Sequence, residues 1–158
     1  MKELTFDTRT VGGICYALAI PSRAVAAIAK NDISGLHSVA FISMDEVIKL
    51  DSLDDETFMF QETHGRDEHG DYWEVSVQAV VPKACIENAV TIEQLERGEW
   101  IVISKDQNGV LRVSGDKETL LACSSDSTSG MAYSDANHTV LTFTGKLGHP
   151  SWLITNDL

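Results

Sequence analysis

From Asp71 to Val81 the chain alternates with a period of two. Trp73, Val75, Val77 and Ala79 fall on one side, and Glu74, Ser76 and Gln78 on the other. A helix would scatter these apolar groups around its circumference, so the segment predicts a half-buried strand. Thr57 to Glu62 also reads as a strand. Between the two lies His64-Gly65-Arg66-Asp67-Glu68-His69-Gly70, polar and bracketed by glycines. Two strands joined in this way predict a long hairpin with a charged loop at its tip.

The same signals recur along the chain. Val39–Ser43 is a short apolar run and predicts a strand, while Met44–Leu50 fits either period. Trp100–Ser104 and Val110–Val113 flank Asp106-Gln107-Asn108-Gly109, and Asn-Gly is the pair that hairpin turns favour. Thr119–Ser124 and Thr139–Thr144 add strands, the latter rich in β-branched threonine. Ser124–Gly130 reads as a loop, and His149-Pro150 as the end of the ordered pattern. Helix is confined to two places. Ser22 is placed to cap a short alanine-rich helix through Ala29, followed by a turn at Asn31-Asp32 and Ser34-Gly35. Thr91 and Gln94 form a capping box for a helix of under three turns that Gly98 stops, anchored by Ile92 and Leu95. With no linker, repeat or low-complexity block, residues 1–158 are expected to be a single domain. The fold expected is mainly β, an antiparallel β-sandwich or barrel with one or two short flanking helices.

Apolar residues at 43% and charged residues at 23% are ordinary globular values and exclude wholesale disorder. The apolar stretch Val11–Ala29 holds Pro21 and Arg23, and Glu3 and Asp7 precede it beside Lys2 and Arg9. This argues against a secretory signal or a membrane span. Without a secretory route, the sequon Asn137-His138-Thr139 is a chance match. Cys15, Cys85 and Cys123 are odd in number and lack metal-ligand spacing, so free thiols in a reducing compartment are expected.

The charge is lopsided, with 12 basic and 24 acidic residues and a net charge of −12. Residues 45–74 carry eleven acids and two bases, a net of −9, against +1 before them and −4 after. The sign excludes tight nucleic-acid binding by a monomer. The acidic segment is either a solvated face that maintains solubility or a surface that repels something anionic or attracts something cationic.

Reactive constellations are missing. The sequence has no nucleophile elbow, phosphate loop or dinucleotide fingerprint. His64 and His69, at i and i+5, share a face of neither helix nor strand. Asp51, Asp54, Asp55 and Glu56 lack the alternate ligands and central glycine of a calcium loop. His37, His138 and His149 are isolated and read as structural. The chain is expected not to be an enzyme and to need no metal or organic cofactor.

Glu96 to Pro150 carries a resemblance. Its short helix is followed by Ser104-Lys105-Asp106-Gln107-Asn108-Gly109, Arg112-Val113-Ser114-Gly115 and the Ser/Thr-rich Ser124–Gly130. Ala132–His138, Leu141-Thr142-Phe143-Thr144-Gly145 and His149-Pro150 complete the order. In this it resembles small tail-tube and neck-type structural proteins of phages and prophages of Bacteroidetes-type bacteria. Gly35–Val47 matches loosely, and Ile20–Lys30 is more alanine-rich than that group. The resemblance implies a virion protein assembled in the bacterial host cytoplasm. It also implies a tail-tube component that self-associates into a ring, a hexamer by analogy, and contacts other tail proteins. Such a ring would be an acidic conduit through which DNA passes without binding tightly, with no membrane involved. Asp67, Glu68, Asp71 and Glu74 are the residues expected at its channel or ring-contact surface. A tail terminator, a head–tail joining protein and a non-catalytic β-sandwich binding module are the alternatives.

Overall fold

The structure, a computed structural model, describes residues 12–32, 34–51, 58–82, 86–128 and 138–154. The strands are β1 Ile14–Pro21, β2 Val25–Lys30, β3 His37–Phe41, β4 Ile48–Asp51, β5 Phe58–Asp67 and β6 Gly70–Pro82. After helix α1, Ile86–Arg97, come β7 Glu99–Asp106, β8 Leu111–Ser114, β9 Leu121–Thr128, β10 His138–Leu147 and β11 Trp152–Ile154. The architecture is mainly β with one flanking helix, as expected. The strands form an open sheet, antiparallel except where β11 runs parallel to β3.

The sheet branches at β7. One edge of β7 pairs with β1 from Ile14↔Asp106 to Pro21↔Trp100. The other edge changes partner along its length: β9 pairs at Glu99 and Trp100, and β8 at Val102 to Lys105. One branch continues β8-β11-β3-β2 and the other β9-β10-β6-β5, while β4 flanks β1.

This branching buries β1 and β7 on both faces. Ala17, Ala19, Trp100 and Val102 join one core, with Val75, Val77, Leu95, Leu121 and Phe143. Leu18, Ile20, Ile101 and Ile103 join the other, with Val25, Val39, Val113 and Ile154. A strand covered on both sides reads as a continuous apolar run, which is why Ile14–Pro21 looks like an anchor and is a central strand. A bulge at Cys15 shifts the register, so Ile14 packs on the first core although its parity matches Tyr16, which packs on the second. No helix among the described residues is long and apolar enough to cross a membrane.

Several local expectations are corrected. Ser22 caps no helix: Pro21 is extended, Ser22–Ala24 form one 3-10 turn, and the following alanines pair as β2 with β3 from Val25↔Phe41 to Lys30↔His37. Strand pairing outweighs the helix propensity of alanine, which is a weak prior. The turn at Asn31–Gly35 is present, closed by Asn31 N–H to Leu36 O at 2.8 Å. Helix α1 begins at Ile86 and runs twelve residues, so Thr91 lies inside it and is not its cap. Leu95 and Ile92 do anchor it, and the Trp100 indole N–H donates to Leu95 O at 2.8 Å. Ser124–Thr128 continues β9 instead of looping, because Ser124 to Thr128 pair with Thr142 to His138 of β10. The order does not stop at Pro150, since β11 follows. Cys85, Asp54–Glu56 and 129–137 lie outside the described residues.

Candidate functional site

The β5–β6 hairpin carries all four acids singled out from the sequence. Its tip is tighter than the expected seven-residue loop. Asp67 pairs with Gly70, leaving only Glu68 and His69 as the turn. The Asp67 carboxylate accepts the His69 N–H at 2.8 Å, and Gly70 takes φ 125°. Aspartate that bonds the backbone two residues on, followed by glycine, is turn chemistry, and it lets the strands run to the tip.

The pairing register places the four acids on different faces. Asp67 and Glu74 lie on the outer face with Gly65, Tyr72 and Lys146. Asp71 lies on the face that leads down to Val75, Val77 and the first core. Glu68 sits at the turn, where the Glu68 and His69 side chains are 86% and 85% exposed.

Both paired acids have cations. Lys146 Nζ is 3.0 Å from Asp67 Oδ2 and 3.6 Å above the Tyr72 ring, the geometry of a cation–π contact. The Lys146 bond, then the His69 N–H, holds the Asp67 carboxyl below the usual carboxylate range, and Asp67 in turn raises Lys146. Arg66 Nε is 2.9 Å from Asp71 Oδ1, and His64 Nε2 lies 3.5 Å from the same oxygen. Tyr72 lies against Gly65, its cross-strand partner, where a β-carbon would run into the ring. The tip is thus a packed unit of ring, ammonium and carboxylate.

Below the tip, the outer face of the sheet is polar in registered rows. Met59, Gln78, Thr142 and Ser124 form one row, Gln61, Ser76, Thr144 and Ala122 the next, and Thr63, Glu74 and Lys146 the third. A shallow groove of about 430 Å³ runs over Gln61, Thr63, Glu74, Ser76, Thr144 and Lys146. Alternation in β6 announced this face, but the rows depend on register between distant strands and have no local signature.

Nucleophiles and metal ligands do not converge. His64 contacts Asp71 and tilts against Trp73 with ring centres 4.9 Å apart, whereas His69 points to Glu68. Among the described residues no three His, Cys, Asp or Glu side chains are grouped to hold a metal. Burial, then the charge of Glu96, pushes the Cys123 thiol up to about 12, so it stays protonated and unreactive. Cys15 donates weakly to Asp106 O and Gln107 Oε1. Both are free thiols. The chain matches no protein-family model, no curated protein and no solved structure.

Proposed function

We propose that this chain is a structural protein of a phage or prophage virion, a tail-tube component that assembles into a ring around passing DNA. The carrying observation is the open sheet. Among the described residues, β2 and β5 end the two branches, each with a single strand partner. Two different free edges on one subunit are what a head-to-tail contact needs, and such contacts form a ring when the rotation between subunits closes. The packed β5–β6 tip adds a preformed projection for contact with a neighbouring subunit or ring. The outer face supports the conduit reading. Its lysine, Lys146, is already held by Asp67, and Glu74 adds negative charge, so phosphate finds little to grip there.

The test is assembly in solution. Light scattering and negative-stain microscopy over a range of protein concentration should find rings. Prolines introduced at Ile28 and Lys30 of β2, whose N–H groups point away from β3, should abolish ring formation while the β2–β3 ladder stays paired, because proline removes edge donors. A strict monomer at high concentration favours the non-catalytic binding module instead.

A further inference from the structure

We propose that His37, Trp152 and His149 form an acid-sensitive latch that holds the β2–β3 hairpin to the rest of the sheet through β11. The His37 ring lies 4.5 Å from the Trp152 ring centre at 9° from parallel, and the His149 ring 3.8 Å away at 12°. Two rings so nearly coplanar and so close to one indole centre would overlap on a single face. They therefore occupy opposite faces, and the indole is sandwiched.

The stack sits where the sheet is narrowest. Among the described strands, β2 pairs with β3 alone, and β3 reaches the remaining sheet only through β11. That junction has the single register pair Ile154↔His37. Strand β11 is itself three residues, held by β8 through Trp152↔Val113 to Ile154↔Leu111. His37, at the start of β3, thus stacks on the strand that joins its hairpin to the sheet.

The two imidazoles have different surroundings. Both His149 nitrogens face oxygens: Asp116 Oδ2 lies 3.2 Å from Nε2, and Pro150 O 2.8 Å from Nδ1. Asp116 is itself fixed by the N–H groups of Glu118 and Thr119. His37 has no carboxylate within ion-pair distance among the described residues. It faces Lys30, its cross-strand partner on β2, and His149 across the indole. Burial first, then the charges of Lys30 and His149, lowers its pKa. At His37 the latched form therefore binds fewer protons than the opened form. Its stability is complete above the ordinary imidazole value of about 6.5 and falls as the pH drops below that value through the lowered one. The opened state frees new strand edges on β3 and β8.

Hydrogen exchange of the full chain at about pH 7.5 and about pH 5, corrected for intrinsic rates, tests this across the range where histidine titrates. Acid should lower the protection of 37–41 and 152–154 several-fold relative to β10. His37→Phe keeps a ring on Trp152 without a titratable group, and it should remove the loss. Lys30→Gln removes one opposing charge from an exposed position and should shrink it. No acid-induced loss in the native chain overturns the latch, as does an equal loss in His37→Phe. Should His37→Phe fail to fold, His37→Leu takes its place, and an acid-induced loss equal to that of the native chain overturns the latch.

Discussion

Asp106 accepts three hydrogen bonds with one carboxylate. Its Oδ1 accepts the N–H groups of Asn108 and Val110 at 2.9 and 2.8 Å, closing the β7–β8 turn. Its Oδ2 pairs with Arg112 Nη1 at 2.8 Å, and Arg112 in turn lies over the Phe60 ring. Burial alone would raise this carboxyl, but the Arg112 bond and the turn amides outweigh it and hold it below the usual range. A depressed carboxylate stabilises the fold above its unfolded value of about 3.9 and loses that contribution as the pH falls through the lowered value. Asp106→Asn should cost about 1–2 kcal/mol at neutral pH, read from urea midpoints, and the gap from native should narrow near pH 3. An equal gap at both values would remove the charge from the account. The turn was legible in the sequence, since Asp and Asn-Gly are its chemistry. The Arg112 partnership was not, because it depends on β7 and β8 lying side by side.

At the scale of elements, what the sequence revealed followed exposure. Strand β6 has one wet and one dry face, so its period of two was plain, and its buried Val75, Val77 and Ala79 are the residues the pattern chose. Strand β1 is dry on both faces and carried no period, so it could be weighed only as an anchor. Strand β2 was hidden behind alanine, whose helical preference yields to pairing with β3. The lower half of β9 was hidden behind serine and threonine, which serve loops and exposed strand faces alike. The alanines of β1 have a packing reason as well. Ala17 and Ala19 are fully buried opposite Ser104 and Val102 of β7, in the core that also holds Trp100 and Phe143. Ala17→Leu should destabilise by about 1–3 kcal/mol through overpacking. The urea midpoint measures it, and a neutral or stabilising result would mean that the first core has slack beside β1.

For the whole molecule, folding redistributes the acid that the sequence concentrates in residues 45–74. Glu46 meets Arg23, Asp67 meets Lys146, and Glu62 accepts the Ser151 N–H at 2.6 Å. Asp71 is matched within the segment by Arg66. Of the four acids proposed for the conduit, Glu68 and Glu74 therefore carry most of the field, while Asp67 and Asp71 cancel the nearest cations. Changing all four to lysine leaves Lys146 and Arg66 uncompensated as well as adding four cations at the tip. Because the side chains are at the surface, the fold should survive, as circular dichroism would register. The variant should acquire affinity for duplex DNA that weakens steeply with salt, measured by fluorescence anisotropy. Replacing Glu93, Glu96, Glu99 and Glu118 with lysine raises net charge equally but away from the hairpin, and should give much weaker binding. Equal binding by the two variants would assign the effect to net charge alone. In assembled virions the hairpin variant should impair DNA delivery. Normal delivery would leave the acidic hairpin as a solubility device and end the conduit reading of this surface.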